Sequence, residues 1–337
     1  MLSPGDSVGP FTIDAHWASE GSSELWRAHD QDGSPVVLRA RKVRKRPSDE
    51  RIERFLNEAR SYDPPHLVEV LDAGVDGELY YVVSEDVQGI LLSELLRRAR
   101  SNKLWPSAAV AATIVAHVAR AVAYVHAQPR GDGQRNHLDF DLIPARIVVT
   151  ARGHARIVEA TEAGDSQDLV DTAARGVGEQ LAFVAPEVAK GERSAPGDGF
   201  ALGAILWELI THQPLFDGPD DFARLQNVDI GQMLPLPEGL TEPCTDLLLA
   251  ATSFKSAARP QNVEAFIKGL EPHTSPRQEV ASWQASLQAQ SSRPKTARLD
   301  AKDQQAQGDP FFDPLRDTPT GAAKTPDRYE ILGQIGS

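Results

Sequence analysis

The sequence predicts an α+β fold, a strand-rich first part followed by a helical second part, on three observations. Short segments rich in β-branched and aromatic residues dominate up to about Val87. After Leu91, Ala, Leu and Val recur at the spacing of about 3.6 residues that marks buried helix faces. Hydrophobic residues make up 41% of the 337, enough for a substantial core and for one large domain with a tail.

Taken in order, Val36 to Leu38 and Tyr80 to Val83 read as strands. One helix is expected between them. Ser48 suits its N-cap, Asp49 and Glu50 suit the positive first turn, and Ile52, Phe55, Leu56 and Ala59 share a face. The longest apolar stretches are Ala108 to Val125 and Phe200 to Ile210. The first contains His117 and Arg120, and the second is far shorter than the roughly 20 residues that span a bilayer, so both read as buried helices.

Composition excludes several classes. A net charge of −13 argues against general binding to nucleic acid or anionic membranes. The single cysteine, Cys244, cannot form an intramolecular disulfide, which fits a reducing cytoplasm. The opening MLSPGDSVGPFT lacks a charged segment followed by an apolar core, so no signal peptide is expected. The nine histidines and one cysteine show no zinc-type spacing.

The most informative segment is DFDLIPARIVV, Asp139 to Val149, followed ten residues on by Glu159-Ala160-Thr161. Around it lie RFLNEAR with Glu58, Ala185-Pro186-Glu187, Asp198 with Phe200 to Gly203, and Arg259-Pro260. In order and spacing these resemble the bacterial serine/threonine protein kinases, as a degenerate, pseudokinase-like member, over about Gly5 to Pro272. The resemblance implies a two-lobed protein-kinase-like fold with a small β-rich N-lobe and a helical C-lobe. It sets Asp141 on the catalytic aspartate, Ile143 on the lysine of H-R-D-L-K-P-x-N, Arg146 on the metal-binding asparagine and Glu159 on the aspartate of D-F-G. Ala18, Glu20 and Ser23 fall on the three glycines of the phosphate loop. Arg39, in Val36-Val37-Leu38-Arg39, replaces the lysine of V-A-I-K, and Glu58 matches its glutamate partner. Ser84 to Val87 resembles the gatekeeper and hinge. Glu85 to Val87 would there contact adenine through backbone groups. Glu187, Asp198 and Arg259 match residues that are structural in the family.

The altered positions are those that would touch nucleotide and metal. Ala18 and Ser23 stiffen a loop whose glycines let backbone approach phosphate, and Glu20 adds negative charge beside it. Arg39 keeps a positive charge in a different shape. Glu159 keeps a carboxylate and is a candidate metal ligand. Arg146 is the most damaging change, because a unit charge at about 4 Å and an effective dielectric near 20 is worth about 4 kcal/mol, doubled for a divalent ion. Losing the cation at Ile143 costs about 10²–10³ in rate by analogy with other transition-state stabilisers. Asp141 remains, either as a general base or as a carboxylate that holds its loop by hydrogen bonds. Arg39 and Arg146 could also meet phosphates directly, without metal.

Beyond Pro272 the composition turns to Ser, Gln, Pro, Asp and Ala. Residues 273–327 are expected to be a disordered linker, with a short helix open at Ala281 to Gln290. Thr318-Pro319 and Thr325-Pro326 read either as modification sites or as ordinary linker. The basic run from Arg39 to Arg46 reads as a docking patch or a solvated strand end. RYEILGQIGS, residues 328–337, resembles the start of a second kinase domain, the alternative being an apolar tail that packs on the first.

The expectation for function is therefore a catalytically impaired regulatory or docking module in the cytoplasm. Its partner would be a protein, foremost a kinase domain in the same or another chain. No nucleic acid and no membrane segment are expected. No cofactor is expected to bind well, ATP and magnesium being weak candidates. The alternative is a weak or unconventional serine/threonine kinase using Asp141 as base and Glu159 for metal.

Overall fold

The computed structural model describes residues 2–20, 23–43, 46–60, 66–128, 142–158, 182–189, 194–218, 223, 226–228, 233–235 and 244–291. Strands come first: β1 (Ser7–Val8), β2 (Phe11–Glu20), β3 (Ser23–His29), β4 (Pro35–Lys42), then helix α1 (Asp49–Arg60), β5 (Val70–Asp76) and β6 (Leu79–Glu85). They form one antiparallel sheet in the order β1-β2-β3-β4-β6-β5. Pro35 opens β4, where its missing N–H costs no ladder bond.

The sheet is packed on both faces because its central strands are apolar without alternation. Val36, Leu38, Trp26, Tyr81 and Val83 bury with Phe11 and Ile13 on one face. Tyr80, Val82, Val70 and Ala73 meet Ile52, Phe55 and Ala59 of α1 on the other. The amide of Arg51 donates to the Ser48 hydroxyl, so Ser48 caps α1 as its sequence predicts.

The second lobe begins with β7 (Gly89–Leu91) and α2 (Leu92–Asn102). Helix α3 (Ala108–Ala127) runs through its centre, capped by Ser107 accepting from the Val110 amide at 3.3 Å. β7 pairs with β8 (Ile147–Thr150), and β8 with β9 (Ala155–Ile157). Next along the described residues come α4 (Pro186–Ala189), α5 (Ala195–Thr211), α6 (Thr245–Ala251) and α7 (Val263–Leu270). α3 is long and apolar enough to cross a bilayer by composition, yet 72% of its most apolar window is buried inside the domain. Its Val, Ile and Ala side chains share one core with Phe200, Leu202, Leu206 and Trp207 of α5.

The strand-then-helix division is as the sequence predicts, and the fold is the two-lobed α+β architecture. The lobes are tied by backbone bonds at residues 66–68. The Val68 amide donates to the Ile157 carbonyl at 2.8 Å, and the Ile157 amide donates to the His66 carbonyl at 2.9 Å.

The expected boundary at Pro272 needs correction. A long helix, α8 (Arg277–Ser291), lies where a linker was expected from residue 273, and one of its faces is buried. Val280, Trp283 and Leu287 recur at helical spacing and are buried in the same core as α3. The Trp283 indole N–H donates to the Leu104 carbonyl at 3.2 Å, and the Gln284 amide to the Val149 carbonyl at 3.0 Å. Gly153 turns at a φ of 79°, and a Cβ there would strike the backbone of Arg277. Three apolar residues suffice for docking because each is large or fully enclosed, although the segment is polar on average. Residues 292–337, including RYEILGQIGS and both Thr-Pro pairs, lie outside the described residues.

Candidate functional site: the cleft between the lobes

The cleft is bounded above by β2 and β3, behind by residues 84–88 at the end of β6 and just beyond it, and below by β8. Val87, Leu91, Val148, Val158 and Val68 form its apolar lining, each at most 5% exposed. Trp17 and Ala18, from the end of β2, pack against this lining.

Arg39 sits in β4 opposite Leu25 and Val82 and is buried. The backbone of Glu58 lies in α1, but its side chain is outside the description, as is that of Glu20. Asp141 and Glu159 also lie outside the described residues, so their expected roles receive no geometry. The residues between them are defined. Ile143 is 4% exposed and precedes a 3-10 turn, Pro144–Arg146, whose last amide returns to the Ile143 carbonyl at 3.0 Å. The Arg146 carbonyl accepts from Val158 at 2.9 Å, which sets this turn directly beneath the end of β9. The Arg146 guanidinium is on a residue only 9% exposed.

Glu85 and Val87 occupy the hinge but differ in role. The Glu85 carboxylate is taken up by contacts with its neighbours. It accepts from Arg156 Nη2 at 2.6 Å and from the Glu69 amide at 3.0 Å. Arg156 Nη2 also donates to the Leu67 carbonyl at 2.8 Å, so this cluster joins β9 of the lower lobe to the sheet above. The Val87 carbonyl faces β3 and accepts from Arg27 Nη2 at 3.4 Å. Arg27 also pairs with Asp86, and its guanidinium stands 4.1 Å from the Trp17 ring centroid. Burial lowers the Arg27 pKa from its ordinary value.

Of the residues that the resemblance makes structural, Glu187 and Arg259 meet each other, and Asp198 meets His126. Arg259 grips Glu187 at two points, Nη1–Oε1 at 2.5 Å and Nη2–Oε2 at 2.9 Å. Its remaining donors reach the carbonyls of Ser253, Phe254 and Pro196, and its guanidinium covers the Phe200 ring at 4.7 Å. Asp198 accepts from His126 Nε2, at the end of α3, at 2.6 Å.

Two features escaped the sequence reading. One is the Trp17–Arg27–Asp86 arrangement. The other is a histidine stack behind the cleft, formed by His66, His117 and His154. The His66 Nδ1–H donates to the Ala155 carbonyl at 3.1 Å, His117 Nδ1 accepts from the Ala155 amide at 3.3 Å, and His154 Nε2 accepts from Arg277 Nη1. Burial, then neighbouring positive charge, lowers His117 to about 3; burial foremost lowers His66 to about 4. Their ligand atoms lie within 4.8 Å of one another, yet the arrangement does not suit a metal. The His66 and His117 rings are nearly parallel, 4.3 Å apart at 14°, so their in-plane lone pairs cannot converge on one ion. Tetrahedral zinc, with bonds of about 2.0–2.1 Å, needs donors about 3.4 Å apart.

Comparison with known proteins agrees with this geometry. The family described as Protein kinase domain matches residues 22–268, more than half of the chain. A tyrosine-protein kinase of Myxococcus xanthus, MasK, is 28% identical over 275 residues, covering 78% of this chain and 43% of that protein. A probable serine/threonine-protein kinase of Streptomyces coelicolor is 30% identical over 235 residues, covering 66% of this chain and 33% of its own length. PrkC, a serine/threonine-protein kinase of Bacillus subtilis, is 29% identical over 174 residues, covering 50% and 25% respectively. The chain thus spans less than half the length of these curated relatives. A strand-rich lobe over a helical lobe, with the Glu187–Arg259 pair in place and bacterial kinases as relatives, leads to one conclusion: the chain belongs to the protein kinase domain family.

Proposed function

We propose that this chain is a catalytically impaired kinase-fold module with a regulatory or docking role rather than a phosphotransferase. The observation that carries the reading is the buried Arg146, at the position that the family resemblance gives to a metal-binding asparagine. A guanidinium at a metal-binding position would oppose a divalent cation, by about 8 kcal/mol for a bare charge at about 4 Å and an effective dielectric near 20. On this reading that corner does not suit magnesium. Ile143, buried beside it, offers no cation for a transferred phosphoryl group.

The partner we propose is a kinase domain, in the same or another chain. The kinase-like RYEILGQIGS at residues 328–337 supports this choice. Action in the cytoplasm is in keeping with the single cysteine, Cys244, a buried thiol that takes part in no disulfide.

Nucleotide binding provides the test. Titration of the full chain with ATP, with and without magnesium, followed by thermal shift and calorimetry, should give weak or no stabilisation and no magnesium dependence. Tight, magnesium-dependent binding would overturn the reading and favour an unconventional kinase using Asp141 and Glu159.

A further inference from the structure

Strand β2 does not run in simple register against β3. Ile13 opposes Ala28 and Ala15 opposes Arg27; His16 opposes Trp26 and Ala18 opposes Leu25. Asp14 and Trp17 are therefore extra residues, each a bulge on β2. A bulge re-aims the side chain it carries. His16 lies against the Trp26 ring, edge to face at 4.9 Å, and bonds the Glu24 carboxylate outside the cleft. Trp17 stands opposite His16 in direction, as alternation along the strand requires, and the bulge lets Ala18 share its face, so both pack on the apolar lining that includes Val87, Val148 and Val158.

The indole is also clamped from above. Arg27 lies over its ring at 4.1 Å, a cation–π distance. Arg27 is in turn fixed by Asp86 and by the Val87 carbonyl, both on the hinge segment. The side chains of Arg27 and Asp86 are 26% and 10% exposed, so the pair is largely withdrawn from water. One indole thus bridges β2, β3, the hinge and the floor of the cleft.

We propose that Trp17 is a built-in occupant of the interlobe cleft, filling the flat apolar slot between hinge and β8 that a free purine base would need. This goes beyond the impaired-catalysis reading, which concerns phosphate and metal, because here the base itself is excluded. Arg27 and Asp86 are positioning residues that hold the ring in place. A ligand can enter only from the fraction of molecules in which the ring has swung out, and its apparent affinity falls by that fraction.

The probe is adenosine, which carries no phosphate and is indifferent to the residues at the metal corner. Calorimetric titration of the full chain should show no adenosine binding up to millimolar concentration. In Trp17→Ala, checked for an unchanged circular dichroism spectrum, adenosine should bind at least about tenfold more tightly than to the wild type. Equal binding by wild type and Trp17→Ala, or no gain in a folded Trp17→Ala chain, would overturn the proposal. Should Trp17→Ala not fold, the conservative Trp17→Phe gives a second measurement. The emission lost between wild type and Trp17→Phe should be shielded from acrylamide, whereas free quenching would overturn the proposal. Failure of the impaired-catalysis reading would show separately, as phosphate transfer.

Discussion

Arg259 meets Glu187 through two parallel hydrogen bonds, and its own side chain is wholly shielded from solvent. This pair joins α4 to the segment before α7. Removing one partner leaves the other buried without its counter-charge. Arg259→Ala is expected to destabilise the domain by about 3–5 kcal/mol. Arg259→Lys should recover little of that, because an ammonium cannot reproduce the two-point contact or the cover over Phe200. Urea denaturation measures both.

The histidine stack makes stability dependent on pH. His66 and His117 have folded-state values lowered to about 4 and about 3, against about 6.5 in an unfolded chain. Depressed histidines stabilise the fold while they are neutral. Their contribution is full above about pH 6.5 and is lost as pH falls toward 4 and then 3. Between pH 6.5 and 5 the loss should approach about 1.4 kcal/mol per pH unit for each histidine. Chemical denaturation across that range should show the slope, and His66→Gln with His117→Gln should flatten it. A flat wild-type profile would contradict the placement of these rings.

Helix α8 belongs to the folded unit. A chain ending at His273 should lose the cover that Val280, Trp283 and Leu287 give to α2 and α3, with a lower melting temperature and faster proteolysis. Trp283→Ala in the full chain should cost about 3–5 kcal/mol. A truncated chain as stable as the full one would show that α8 is merely apposed.

Arg146 can be tested once the cleft is open to nucleotide. In a Trp17→Ala background, ATP binding should be indifferent to magnesium. Adding Arg146→Asn removes the charge that opposes the ion and should make binding magnesium-dependent. Calorimetry with and without magnesium reads the difference, and magnesium dependence before Arg146 is changed would contradict the assignment.

Much of this fold was legible because local chemistry and tertiary role coincide. Ser48 caps α1 by a contact three residues long. Val36 to Leu38 and Tyr80 to Val83 are apolar without alternation because their sheet is covered on both faces. Glu187 and Arg259 were legible only through the motifs in which they stand. Trp17 was not, because a bulge is a register event between two strands and leaves no mark on one strand's composition. The histidines meet only after residues 66–68, α3 and the β8–β9 turn come together. α8 carried a readable signal in the spacing of Val280, Trp283 and Leu287, outweighed by the polar residues around them. Asp141 and Glu159 rest on the sequence alone.

Phosphate transfer tests the central claim most directly. The purified full chain, incubated with labelled ATP and magnesium, alone and with a generic protein substrate, should incorporate no more phosphate than the Asp141→Asn variant. Incorporation by the wild type that Asp141→Asn abolishes would contradict the account and make this chain a working kinase.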